Sequence, residues 1–441
     1  MAMPVDRRRF ILTAGLSVTG GALAPSVARS LGADTVSMPT AAPGDWAWVR
    51  DQFDVSRDWA HFASFYIVSH PRPVREAIEK LRRELDENPF MVVEHGLFTR
   101  PEEVRAAAAS YVGGKPDEVA LTRCTTEGLA LIYSGLALRP GQEILTTTHE
   151  HYSHLESIRL AGRRCGASER RITLYDDSAR ANEDAIVDRV RRALSAKTRV
   201  VGITWVHSST GVKVPIRRVA DAIAEANKSR ADADRILLVV DGAHGFGVED
   251  EAVAALGCDF LASGTHKWIF GPRGTGIVWG RREAWAQLQP TVPAFEMGPF
   301  AAWLEGHTPG PTQGPWLSPG GFHAYEHMWA LPAAFAFHGQ IGRSRIAGRI
   351  QELNTRIKDG LAAVPGLKLH TPRDPRLSAG LVAFEFAGRT PEDVVHRLAA
   401  RRIVASASPY KPSYARLAGS LLNTPDEVDR AVRAVRELGA S

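Results

Sequence analysis

The sequence predicts an α/β protein: a large domain whose mostly parallel sheet is sandwiched by helices, followed by a smaller α+β domain. Three observations carry this expectation. From about residue 100 onward, helix-period segments alternate with short β-branched runs, the pattern of parallel strands joined by crossover helices. The stretch from Val292 to Gly321 is rich in Pro and Gly and weakly periodic, which reads as a long, ordered, functional loop leading to a boundary. Beyond it the alternation changes character, with short strands and amphipathic helices in a different order.

Taken along the chain, 101–112 reads as a helix, 118–123 as a strand and 125–138 as a helix. A strand at 143–148 and a helix at 154–164 follow, then strands at 199–206, 236–241, 258–262 and 276–279. After the loop, helices are expected at 326–342 and 346–363, strands at 367–370 and 380–386, and helices at 391–400 and 425–438. The domain reading is an export signal at 1–33, an N-terminal arm at 34–95 contributing to the small domain, a large domain at 96–325 and a small domain at 326–441.

The N-terminus carries its own message. Arg7-Arg8-Arg9 precedes an apolar, Gly/Ala-rich run, and small residues at Ala22, Ala24, Ser26 and Ala28 offer cleavage sites, which resembles a twin-arginine export signal. The run from Phe10 to Ala24 is too short and too Gly-rich to span a bilayer comfortably, so no membrane anchor is expected. A periplasmic protein exported already folded by the twin-arginine translocase is the expectation. The formal charge of +5 falls by three once residues 1–33, four arginines against one aspartate, are set aside. So small an excess, with no run of five basic residues, gives no reason to expect nucleic acid. Three cysteines at no metal-ligand spacing indicate neither a disulfide framework nor a zinc site.

Ligands on open parallel sheets sit at the carboxyl ends of the strands, so the residues just past each strand are the ones to weigh. Lys267, in Ser263-Gly264-Thr265-His266-Lys267-Trp268, follows a buried strand among small residues and donors. It reads either as a snorkelling lysine or as an amine desolvated enough to form an imine with an aldehyde cofactor. Asp241 ends the apolar run Val239-Val240-Asp241-Gly242-Ala243-His244. It is a turn residue or the carboxylate that keeps the pyridine nitrogen of pyridoxal 5′-phosphate protonated; His244 could bond the cofactor phenolate. In Arg123-Cys124-Thr125-Thr126-Glu127-Gly128 a strand gives way to a helix whose first N–H groups and threonine hydroxyls suit a phosphate ester. His149, His151 and His154 allow a metal site or an imidazole stacked on a flat ring. The second suits this company, with His149 favoured over His151 because it follows the strand directly.

Together these four elements resemble the class V aminotransferase family, which includes cysteine desulfurases and isopenicillin N epimerase-like enzymes. The resemblance runs from about Asp58 to Leu438 and implies fold type I with pyridoxal 5′-phosphate as cofactor. It makes Lys267 the Schiff-base lysine, Asp241 the partner of the pyridine nitrogen and His244 that of the phenolic oxygen. Thr125, Thr126 and His266 would hold the phosphate, Ser208 and Thr265 complete the cofactor set with His149 and His151, and Arg416 would grip a substrate carboxylate. Desulfurases carry a nucleophilic cysteine shortly before that arginine, whereas residues 403–414 hold none, which disfavours a persulfide mechanism. Gly320-Gly321-Phe322-His323 stands where the family often has a Gly-Thr pair entering the neighbouring subunit's phosphate site, and the signal, this segment and Tyr152-Ser153-His154 look most like exported, epimerase-like members. The expected protein is a homodimer that acts on the amino group or α-carbon of an amino acid or aminoacyl compound, as an aminotransferase or epimerase. A lyase or siderophore-tailoring enzyme is the alternative; a non-catalytic cofactor-binding protein and a metal-dependent hydrolase are the rivals.

Overall fold

The computed structural model of the protein describes residues 45–440, so the predicted export signal lies outside the described residues. The strands in chain order are β1 (Ala60–His61), β2 (Val119–Thr122), β3 (Glu143–Thr147), β4 (Ser168–Ile172), β5 (Thr198–Thr204), β6 (Leu237–Asp241), β7 (Phe260–Gly264), β8 (Gly276–Gly280), β9 (Leu367–Leu369), β10 (Val382–Phe386), β11 (Ile403–Val404), β12 (Ser406–Ala407) and β13 (Ala415–Leu417). Seven of them build the large sheet in the order β2-β8-β7-β6-β5-β3-β4. The pairs β7–β6, β6–β5, β5–β3 and β3–β4 are parallel, while β8 runs antiparallel to both of its neighbours. The carboxyl ends of β2, β3, β5, β6 and β7 therefore open on one edge.

Strand alternation separates two apolar layers. Leu238 and Val240 of β6, with Val201, Ile203 and Leu261, face helices 100–112, 183–193 and 216–227. Leu237 and Val239, with Val200, Phe260 and Ala262, face helices 125–135 and 152–165 through Leu129, Ile132 and Ile158. A sheet buried on both faces explains the continuous apolar runs in its inner strands. The smaller sheet, β12-β13-β10-β9, is antiparallel. Its core joins Val382, Phe384 and Leu417 to Leu353, Ile357 and Leu361 of helix Arg343–Ala362 and to Val428 and Val435 of helix Pro425–Ala440. The N-terminal arm enters this core where β1 pairs with β11, burying Ala60 and Phe62. Other arm residues, among them Phe53, Phe65 and Leu81, pack instead into the layer of Leu238. So do Leu331, Phe335 and Ile346, which the sequence assigns to the smaller domain.

Some elements differ from expectation for local reasons. Part of the Pro/Gly-rich stretch folds into helix Met297–Glu305, closed by Gly306 in the left-handed region at φ +75°. The helix expected over 326–342 is two, Tyr325–Met328 and Leu331–Ile341, the second starting with Pro332 in its first turn, where the missing N–H does least harm.

Candidate active site

The shared edge of the large sheet collects the chemistry. Asp241 is the last residue of β6, Thr204 the last of β5, Lys267 lies three residues beyond β7, and Cys124–Thr126 follow β2. They line one cavity of about 740 Å³ together with His149, His151, Ser208, His244, His266, Tyr410 and Arg416. Of the residues the sequence singles out as cofactor or substrate ligands, Thr265 alone does not line it. Its side chain is buried in the turn after β7, with Oγ1 2.6 Å from Thr275 Oγ1, where it holds the loop that carries Lys267 rather than facing a ligand.

Lys267 Nζ lies 3.5 Å from His244 Nε2. Burial lowers the pKa of this amine, and Asp241 opposes the shift only in part. The Asp241 carboxylate accepts the Ala243 N–H at 2.9 Å; burial drives its pKa above the usual aspartate range. Trp268 Nε1–H donates to His244 Nδ1 at 3.4 Å. An indole nitrogen can only donate, so the neutral imidazole keeps its proton on Nε2, where it can donate into the cavity. The helix Thr125–Gly135 starts after an extended Cys124 with no side-chain cap. Its first N–H groups are thus available to an anion. The Gly264 N–H donates to Thr125 Oγ1 at 2.7 Å, which ties the end of β7 to this helix start and leaves the threonine O–H to donate.

The two histidines after β3 part company. His149, favoured by the sequence, has its ring stacked on Tyr175, centroids 4.0 Å apart and planes 16° from parallel, and its Nε2 accepts the Leu174 N–H at 3.1 Å. Burial brings its pKa down to about 3, and the charges it feels are those of His207, Glu150, Arg189 and Asp176. His151 caps the helix Tyr152–Cys165 by accepting the Ser153 N–H on Nδ1 at 3.2 Å. Burial lowers its pKa too, but the charges acting on it are Asp241, Lys267, His154 and Arg416. Both rings line the cavity, so the structure brings His151 to it as well as the His149 that the sequence favours, and of the two it is His151 that feels the charges of the lysine and the aspartate. The third histidine, His154, turns away from the cavity to Tyr133 and Glu150.

Arg416 sits on β13 between Ala415 and Leu417, both of which point into the small core. Alternation therefore sends its side chain out the other face, toward Ser208. The guanidinium is buried; Nη1–H donates to Ser208 O at 2.6 Å, Nε–H to Ser406 Oγ at 3.1 Å and Nη2–H to Ala407 O at 3.2 Å. It packs over the Phe65 ring, 4.7 Å from the centroid, and burial brings its pKa down to about 10. Three of five N–H donors are engaged and every acceptor is neutral, so the cation still lacks a counter-charge. Tyr410, which sequence reasoning misses, bonds Ser208 Oγ at 2.6 Å and stands edge-on to the His151 ring. Its only sequence cue is its place six residues before Arg416.

The sequence model of the family described as Aminotransferase class-V matches residues 70–418. A cysteine desulfurase of Klebsiella pneumoniae is 28% identical over 384 residues, 82% of this chain and 90% of that protein. The isopenicillin N epimerase of Streptomyces clavuligerus is 29% identical over 384 residues, 83% of this chain and 92% of that one. Among solved structures, a C-DES variant with glycine covalently linked to its PLP cofactor superposes with a TM-score of 0.78 at 21% identity, covering 88% of this chain and 99% of that one. The apo cysteine desulfurase of Thermococcus onnurineus gives 0.76 at 22%, covering 91% and 100%. At these identities the structures establish a common fold.

Proposed function

The chain belongs to the class-V aminotransferase family, and from that premise we propose that it is a pyridoxal 5′-phosphate enzyme acting on the amino group or α-carbon of an amino acid or aminoacyl compound. The observation that carries the reading is Lys267: a desolvated amine in the same cavity as a buried carboxylate, a neutral imidazole and an uncapped helix start. This donor set fits the cofactor group by group. The helix start, Thr125, Thr126 and His266 suit the phosphate, Asp241 the pyridine nitrogen, His244 Nε2–H the phenolic oxygen and His151 the ring. When bound, the cofactor supplies an aldehyde for the amine and an electron-withdrawing ring for the bond broken at Cα. The protein's own part is then definite. Arg416 holds the substrate carboxylate with its uncommitted N–H donors and so fixes which Cα bond faces the ring. Lys267 Nζ, once released, moves the proton at Cα; its lowered pKa suits a general base.

Residues 403–414 contain Tyr410 but no cysteine, which favours amino-group transfer or epimerisation over persulfide formation. A homodimer belongs to the same proposal: Phe90, Phe98, Phe295 and Phe322 leave large apolar rings exposed, and surface of that kind marks association sites. So does export, which rests on the twin arginines and the run that follows them. Among the described residues no helix is long and apolar enough to cross a membrane. The test is a visible absorption band in the purified protein that responds to a panel of amino acids, followed by product analysis. A colourless protein with stoichiometric zinc or iron would point to a metal-dependent hydrolase and end this reading.

A further inference from the structure

Glu150 and His154 have no part in the scheme above, yet both side chains are fully buried, against the sheet face that carries Asp241. In the pairing of β5 with β6, Thr204 stands beside Asp241 and Gly202 beside Val239, so Gly202 and Thr204 share that face. Thr204 donates its hydroxyl to one Glu150 oxygen, and Thr147 donates to the other at 2.6 Å. His154 Nδ1 lies 3.0 Å from Glu150 Oε2, and its Nε2 lies 2.8 Å from the Tyr133 hydroxyl. This last contact depends on Gly202: a Cβ there would stand 2.1 Å from Tyr133 Oη and 3.0 Å from His154 Nε2. A carboxylate sealed from water needs a cation beside it. The His154 ring is the imidazole within reach of it, Nδ1 at 3.0 Å; His207 stands 4.0 Å away, and burial brings its pKa down to about 4.

We propose that Glu150 and His154 form a positioning couple, carboxylate and imidazolium, that keeps the Asp241 carboxylate ionised for the cofactor's pyridine nitrogen. Burial alone drives Asp241 toward the neutral acid, and His154 is the strongest of the groups that oppose this, ahead of the Ala243 N–H and Lys267. Glu150 acts on Asp241 in the opposite sense, but without it the imidazolium would be a buried cation lacking a counter-ion. For Glu150 itself burial raises the pKa, and the hydrogen bonds from His154 and Thr147 with the nearby histidines outweigh it, so the carboxyl stays below its usual range. Tyr133, Thr147, Thr204 and His207 contact the couple, and its charges also act on His149, His151, Tyr175 and Tyr410.

The inference rests on the pyridoxal phosphate reading and is tested by nitrogen-15 NMR of holoenzyme loaded with cofactor labelled at the pyridine nitrogen. Wild type is expected in the protonated range. His154→Gln and Glu150→Gln are each expected to move the resonance toward the unprotonated range and to lower kcat by on the order of tenfold with little change in KM, and the double substitution to be no worse than either single one. A pair that only fills space would lower the melting temperature and leave the resonance in place, which overturns the proposal. Should the buried substitutions prevent folding, Tyr133→Phe removes one hydrogen bond from His154 and should shift the resonance the same way by less; no shift there also overturns it. A wild-type protein that takes up no cofactor would instead sink the reading beneath it.

Discussion

Arg416→Lys separates a substrate clamp from a packing residue. The wild-type guanidinium spends three donors on Ser208 O, Ser406 Oγ and Ala407 O, which fix its plane and leave two N–H groups for a carboxylate. Lysine keeps the charge but loses the fork, so at least one charge-assisted hydrogen bond to the substrate is lost. Such a bond contributes about 1.5–3 kcal/mol. At about 1.4 kcal/mol per factor of ten, kcat/KM for a free amino acid should fall by on the order of tenfold to a hundredfold. Cofactor content should not change, because the contacts of Arg416 are with Ser208 O, Ser406, Ala407 and Phe65 and not with the helix start. The assay is steady-state kinetics of wild type and variant on a free amino acid and its carboxamide, with cofactor content read by absorbance. The loss should shrink greatly on the carboxamide, which offers no carboxylate to clamp. Equal activity of the two proteins on the free acid would refute the reasoning and return Arg416 to the packing of the smaller sheet.

Asp241→Asn should retain part of the cofactor and lose kcat by on the order of a hundredfold, since an amide cannot hold the ring nitrogen protonated; near-normal turnover would reduce Asp241 to a turn residue. Burial lowers the pKa of both His207 and His338 from the ordinary histidine value of about 6.5 to about 4. The unfolded chain therefore binds more protons than the folded one between those values, and stability should fall as pH drops from about 6.5 to about 4. Urea denaturation across that range checks this, and His338→Gln should flatten the dependence by about one proton's worth, roughly 1.4 kcal/mol per pH unit. Replacing Arg7 and Arg8 with lysine should leave folded, cofactor-loaded protein in the cytoplasm; unchanged periplasmic yield would remove the export proposal.

The chemistry of this fold was legible wherever it sits at the end of a strand buried on both faces. Val239-Val240-Asp241 announces itself because nothing but function or a turn explains a carboxylate closing so apolar a run. By contrast β4 is an edge strand whose Glu169, Arg170 and Arg171 carry no apolar alternation, so it escapes pattern reading. Helix Met297–Glu305 hides for a related reason, being short and carrying Gly298 and Pro299 in its first turn. The choice between His149 and His151 was beyond local sequence, since it turns on Tyr175, which arrives from a later segment to occupy the His149 ring. Tyr410 was equally silent. Its place in the site comes from a contact with Ser208, some two hundred residues earlier in the chain.

The central claim is that Lys267 carries the cofactor, and its most direct test is borohydride reduction of the purified protein followed by peptide mapping. The account predicts one pyridoxyl group per chain, on the peptide spanning Ser263 to Trp268 and on Lys267 within it. A reduced pyridoxyl group on another lysine, or none on any peptide, would contradict it.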